Sequence, residues 1–106
     1  MKEVLIDFDN KSPADLNESV NITAFSTEND DVEYKFIEGL EGVWKPIQDF
    51  SKNNICTWKP SKPGKYMIMV QGKSTSCKKS YDYLGKSEYE VVENETMKAY
   101  LNETLE

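Results

Sequence analysis

The stretch from Trp58 to Val70, W-K-P-S-K-P-G-K-Y-M-I-M-V, most constrains what this chain can fold into. It reads as a strand that ends in a tryptophan, a tight corner at Pro63-Gly64 and a second strand that begins with Tyr66. In β-sandwiches a tyrosine near the start of the sixth strand donates a hydrogen bond to backbone a few residues upstream and fixes the crossover between the sheets. We therefore expect this stretch to be the corner of a sandwich.

Apolar residues alternate with polar ones along most of the chain, which is typical of strands with one buried face. Phe25 falls outside this alternation and is expected to close the end of the core. Pro46 confines its strand, 43–47, to a sheet edge because proline has no N–H to donate. The alternating apolar sets are Val4, Ile6 and Phe8; Val20, Ile22 and Ala24; Val32, Tyr34 and Phe36; Cys56 and Trp58; Tyr66, Ile68 and Val70; and Tyr89 and Val91.

Turn residues separate these segments, among them Asp9 to Pro13, Gly39 to Gly42 and the polar run 72–79. The segment 66–70 is the cleanest strand and the best candidate for the sheet centre. About seven short strands without a convincing helix predict an all-β fold, an antiparallel β-sandwich of immunoglobulin or fibronectin type III shape.

Residues 1–93 are expected to form this one domain, since 106 residues suffice for a single core. Residues 94–106 are expected to be a linker or frayed tail, although Met97, Tyr100 and Leu101 at helical spacing leave a helical turn open. The final Leu105-Glu106 resembles residues that an expression vector leaves before a tag.

The charge balance argues against nucleic acid as a partner. The chain has 19 acidic and 13 basic residues, a formal charge of -6, and its longest basic run is Lys78-Lys79. Such a surface repels phosphate backbones and anionic lipid. No apolar run approaches the length of a membrane span, so membrane insertion is not expected either.

Catalysis and metal binding are not expected. The chain has no histidine, and its two cysteines, Cys56 and Cys77, match no zinc spacing. A disulfide between them stays open, but two free thiols are favoured, with Cys56 as a small core residue. Asp7, Asp9 and Asp15 form an acidic group without the EF-hand pattern, and we interpret it as solvated turns. We predict no enzyme activity, no cofactor and no metal.

Aromatic side chains near the expected surface are the only binding candidates. Trp44 lies on the predicted edge strand, and Tyr81 and Tyr83 lie near the polar loop. Aromatic faces stack well on the apolar face of a sugar ring. Most aromatic residues of the chain, Trp58 and Tyr66 above all, are instead expected in the core, which leaves Trp44, Tyr81 and Tyr83 as candidates.

An ordered set of motifs resembles one known family. The set is Tyr34-Lys35-Phe36, Trp44 followed by residues 47–51, Trp58-Lys59-Pro60, the stretch 63–70, Ser80-Tyr81-Asp82 and Tyr89-Glu90-Val91. Over about residues 3 to 93 it resembles the triple-tyrosine (Y_Y_Y, two-component regulator three-Y) domain, in the form found as tandem repeats in bacterial proteins.

This resemblance implies an immunoglobulin-like, non-enzymatic module of a larger bacterial protein, extracellular or on the cell surface. Its role would be that of a spacer, adhesive or protein-interaction unit. The alternatives are a carbohydrate- or cell-wall-binding module attached to a hydrolase and the connector of a two-component sensor. Expected partners are neighbouring domains of the same chain, other proteins or cell-wall carbohydrate, and the isolated domain is expected to be a monomer.

Overall fold

Every regular element that the structure describes is a β-strand. The structure is a computed structural model that describes residues 2–28 and 31–93, so the expectations for residues 94–106 lie outside the described residues. No helix that could cross a membrane occurs within these two ranges. The strands are β1 (Lys2–Phe8), β2 (Ala14–Asp15), β3 (Val20–Ser26), β4 (Val32–Leu40), β5 (Val43–Ser51), β6 (Ile55–Trp58), β7 (Gly64–Ser74) and β8 (Tyr83–Val92).

The strands form two layers that share one hydrogen-bonded path, β5-β4-β7-β8-β1-β3-β6. The path passes from one layer to the other at β1. This strand pairs with β8 through Lys2 and Glu3 and with β3 through the rest of its length. The layer β5-β4-β7-β8 therefore faces the layer β1-β3-β6. The expected all-β, immunoglobulin-like sandwich is confirmed.

The alternation places the core as predicted. Val20, Ile22 and Phe36 have no exposed surface, and neither do Ile68 and Val70 on β7. With 11 residues and a strand paired on either side, β7 is the centre of its layer. Burial of this apolar surface is the main force that holds the two layers together.

Tyr66 confirms the predicted corner. Its hydroxyl donates a hydrogen bond to the Lys62 carbonyl at 2.7 Å, while its ring meets the Trp58 ring edge-on with centroids 4.9 Å apart. Tyr89 on β8 repeats the arrangement, because its hydroxyl donates to the Asn10 carbonyl and its ring also packs against Trp58. Each tyrosine thus packs in the core and fixes a connection from the other layer by a hydrogen bond. Tyr66 fixes the connection after β6, and Tyr89 fixes the connection after β1.

Two local predictions were wrong. Phe25 does not close the core: it is 48% exposed, since it lies on the opposite face of β3 from Val20, Ile22 and Ala24. The strand predicted for residues 43–47 runs on to Ser51, and the chain turns only after it. The β4–β5 register shifts on both sides of Phe36, as at a β-bulge.

The sheet also contains parallel pairs that the expected antiparallel sandwich lacked. β1 pairs with the start of β8 in parallel, and the two-residue β2 pairs with its end. β2, which lies outside the apolar sets that predict strands, therefore contributes an eighth strand. Both short pairings cover the edge of β8.

The β4–β5 connection is a two-residue turn at the end of an edge hairpin. Glu41 and Gly42 have φ values of 52° and 81°, as a type I′ turn requires, and Leu40 pairs with Val43 across it. The predicted edge position of Pro46 is confirmed, because β5 pairs with β4 alone and ends the path.

Candidate functional site

One row of residues crosses the outer face of the four-stranded layer, the face turned away from the core. Trp44 on β5 is opposite Gly39 on β4, Gly39 is opposite Met67 on β7, and Met67 is opposite Glu88 on β8. This row brings an aromatic ring, a thioether and a carboxylate to one line at the end of the sheet where β4 turns into β5.

Gly39 allows the Trp44 ring to lie against the sheet. A Cβ atom at position 39 would be 2.7 Å from Cζ3 of Trp44, closer than van der Waals contact permits. The ring therefore covers the glycine, as in cross-strand aromatic–glycine pairs elsewhere. Trp44 remains 49% exposed, so part of the ring is open to a ligand.

A groove of about 650 Å³ runs beside this ring, within the size range of ligand sites. Its apolar surface comes from Trp44 and Met67, and its charges come from Glu41, Glu88, Glu90 and Lys65. Ser12 from the β1–β2 connection also lines it, without a charge. Ser12 is fixed there because its hydroxyl oxygen accepts the backbone N–H of Glu90 at 2.9 Å.

The charged side chains of the groove are uncommitted. Among residues 2–28 and 31–93, none of the side chains of Glu41, Lys65, Glu88 and Glu90 makes a hydrogen bond or ion pair. Three carboxylates and one ammonium group therefore give the groove an excess of negative charge. The groove lies at the end of the sandwich where β7 begins and β8 stops, which we call the far end. We define the far-end groove as Glu41, Trp44, Lys65, Met67, Glu88 and Glu90.

The other two aromatic candidates lie elsewhere. Tyr83 is fully buried in the core, with the Lys2 ammonium group 5.2 Å from its ring centroid, so its face is not available at the surface. Tyr81 is half-buried in the β7–β8 loop and lines a separate cleft of about 330 Å³ with Cys77, Lys78 and Lys79. The structure thus keeps Trp44 and Tyr81 at opposite ends of β7.

The β7–β8 loop is closed at its base by Asp82. Its carboxylate accepts the backbone N–H of Ser74 at 2.9 Å and the Ser74 hydroxyl at 2.5 Å. Burial acts to raise the pKa of Asp82, but these hydrogen bonds outweigh it and hold the pKa below its ordinary value. The Asp82 charge is therefore engaged at the base, and the exposed tip carries Lys78 and Lys79.

In the part of the chain that the structure describes, the cysteines and the acidic turns form no catalytic arrangement. Both cysteines are free thiols, and burial raises the pKa of Cys56 to about 11, so it is a protonated core residue at neutral pH. Asp9 accepts the backbone N–H and the side-chain amide of Asn21, each at 2.8 Å. No group of three or more potential metal-ligating side chains comes together within the described ranges.

The sequence did not identify most of the groove. The edge position predicted for Trp44 identifies it as a candidate. Met67 belongs to the stretch 63–70 and Glu88 to no motif, and the two become neighbours of Trp44 only through the strand register. The sequence does predict the outward direction of Met67, because Met67 lies between Tyr66 and Ile68, which alternation places in the core.

Comparison with known proteins gives one family. The model of the Y_Y_Y domain matches residues 26–92, from the last residue of β3 to the end of β8. The matched part includes the Tyr66 corner and every residue of the far-end groove. No curated protein matches the chain.

Proposed function

The chain belongs to the Y_Y_Y domain family, and from this premise we propose that it is a spacer that holds the neighbouring domains of a larger bacterial protein apart. Y_Y_Y domains are non-catalytic modules of multidomain bacterial proteins such as two-component sensors. In this proposal residues 1–93 are the module, and its partners are the domains that precede and follow it.

The observation that carries the proposal is the position of the two ends of the sandwich. β1 starts at Lys2 beside Tyr83, the first residue of β8, and β8 leaves the sheet at Val92 beside Asp15. The chain therefore enters at the near end, where β8 begins, and leaves at the far end, where β8 stops. The nine steps from the first to the last residue of β8, at ~3.3 Å each, separate these ends by about 30 Å.

Many domains have adjacent termini, which suits insertion into a loop of another domain. Separated termini suit a serial arrangement, in which each domain adds its own length to the chain. The connections are also fixed: Tyr66 holds the one before β7, Tyr89 the one after β1, and Asp82 the β7–β8 loop. With these connections fixed, the sandwich holds its two ends, and the domains attached to them, at a constant distance.

A distance measurement tests the spacing directly. Spin labels at Glu3→Cys and Glu93→Cys, in a Cys77→Ser background that leaves the buried Cys56 in place, should give a narrow distribution centred at about 30 Å. A short or broad distribution would refute a rigid spacer. In the parent protein, an unrelated sandwich of equal length in place of residues 2–93 should preserve the function of the flanking domains, whereas deletion should not.

A second candidate function is favoured by the exposed Trp44 ring, which could stack on a sugar of cell-wall carbohydrate. Binding of peptidoglycan or glycan fragments should change tryptophan fluorescence, and Trp44→Ala should abolish the change. Trp58 is a built-in control because it is only 1% exposed. An unchanged signal at millimolar saccharide would rule this function out.

A further inference from the structure

We propose that the far-end groove accepts the β7–β8 loop of a following domain of the same kind, so that successive copies make a head-to-tail contact. This inference rests on the proposed spacer function and specifies where one module touches the next. The occupant is a second copy of this chain, and the contacting segment is its loop 75–82.

The far-end groove suits a lysine-rich segment with an aromatic residue. Its uncommitted carboxylates, Glu41, Glu88 and Glu90, outnumber the single ammonium group of Lys65. Trp44 attracts a cation to its ring face, and the thioether of Met67 adapts to irregular apolar shapes. A lysine side chain can place its methylene groups on these two residues and its ammonium group among the carboxylates.

The loop offers the complementary groups. Lys78 and Lys79 are exposed, and neither forms an ion pair with any residue in the described ranges. Tyr81 lies two residues further on with part of its ring at the surface. Since the acid of this loop, Asp82, is bound to Ser74 at the base, the tip presents positive charge alone.

The topology brings the two surfaces to facing ends in a series of domains. β7 begins beside the groove at Lys65 and ends at Ser74, where the loop starts, so groove and loop lie at opposite ends of the sandwich. The groove shares the far end with the outgoing chain, and the loop shares the near end with the incoming chain. The outgoing end of one domain thus faces the incoming end of the next.

Such a contact is heterologous, because two different surfaces meet, and it extends a line of domains rather than closing a dimer. A single small groove gives weak binding between separate molecules. Covalent connection raises the effective concentration to the millimolar range, which is sufficient for a weak contact to form. The isolated domain is therefore a monomer at micromolar concentration.

Amide chemical shifts of the ¹⁵N-labelled chain, followed from micromolar to millimolar concentration, test the proposal. Concentration-dependent shifts should appear together at the Trp44 indole N–H, at Glu88 and in residues 75–82. Shifts confined to one of these surfaces, or absent at millimolar protein, would overturn it.

Charge exchange supplies the decisive comparison. Glu88→Lys alone and Lys79→Glu alone should each weaken the association by at least about fivefold, because each sets like charges against one another. An equimolar mixture of the two variants should recover it, because the unaltered groove of Lys79→Glu then meets the unaltered loop of Glu88→Lys, and the altered groove meets the altered loop. The control Lys59→Glu makes the same charge change at an exposed site outside both surfaces and should leave the association unchanged.

Failure of the mixture to recover binding would overturn the head-to-tail contact. The spin-label distance is independent of this contact. A long, narrow distance without association would leave the spacer function standing and remove the contact, whereas a short or broad distance would remove the spacer function itself.

Discussion

Replacement of Tyr66 by phenylalanine isolates the hydrogen bond at the corner from the packing of the ring. The phenol is buried at 2% exposure, and its hydroxyl donates to the Lys62 carbonyl at 2.7 Å. Phenylalanine retains the ring and its edge-on contact with Trp58, so only the hydrogen bond is lost. The change therefore measures how much the corner bond contributes.

The structure sets the size of the effect. A buried carbonyl left without a donor costs about 1 to 3 kcal/mol. Here Lys62 is itself exposed, and a cleft of about 120 Å³ reaches both Lys62 and Tyr66, so water can replace the lost donor. We therefore expect about 1 kcal/mol, near the lower limit of that range.

Urea unfolding followed by the fluorescence of the buried Trp58 measures this loss. A decrease of about 1 kcal/mol lowers the midpoint by about 0.5 to 1 M at the slope usual for a small domain. The control is Tyr81→Phe, which removes the same atom from a half-buried tyrosine that makes no side-chain hydrogen bond within the described ranges. Equal midpoints for the two variants would refute the corner as a stabilising bond.

Other changes probe the core, the thiols and the pH dependence. Trp58→Ala should lower the free energy of unfolding by about 3 to 5 kcal/mol, as seen by calorimetry, because the ring is 1% exposed and contacts two tyrosines. At pH 8 a thiol reagent should label Cys77 quickly and Cys56 only after unfolding, since burial raises the pKa of Cys56 to about 11. The hydrogen bond from the Asn21 backbone N–H lowers the pKa of Asp9 in the folded protein. The ionised Asp9 carboxylate should therefore stabilise the fold at neutral pH, and this stabilisation should be lost as the pH falls below about 4. Asp9→Asn should flatten this part of the curve of unfolding free energy against pH.

The sequence predicts the core of this fold well because burial follows strand alternation. Strand alternation alone places Val20, Ile22 and Ile68 inside, and the four residues Pro63 to Tyr66 predict the tyrosine corner. The same parity rule should have turned Phe25 outward. Its large apolar side chain suggested burial, but the opposite face of β3 has no layer over it within the described residues.

The sequence predicts β5 and the groove poorly for related reasons. β5 lies at the sheet edge with both faces partly in solvent, so no alternation marks its length, and the strand predicted from the sequence ends at residue 47. The groove depends on the register of four strands, which relates Trp44, Met67 and Glu88 only in three dimensions. The sequence predicts Tyr83 near a surface loop, because the polar run 72–79 lies just before it and gives no sign that β8 begins at Tyr83.

Pro46 affects how readily the exposed edge of β5 pairs with another copy of the chain at high concentration. The two-residue turn makes Leu40 and Val43 a hydrogen-bonded pair, and alternation from that pair leaves the nitrogen of Pro46 directed away from β4. At this point an incoming strand would need a donor, and proline has none, so the edge resists addition of a foreign strand. Pro46 therefore opposes edge-to-edge strand pairing between copies at high concentration, and with it the growth of β-fibrils.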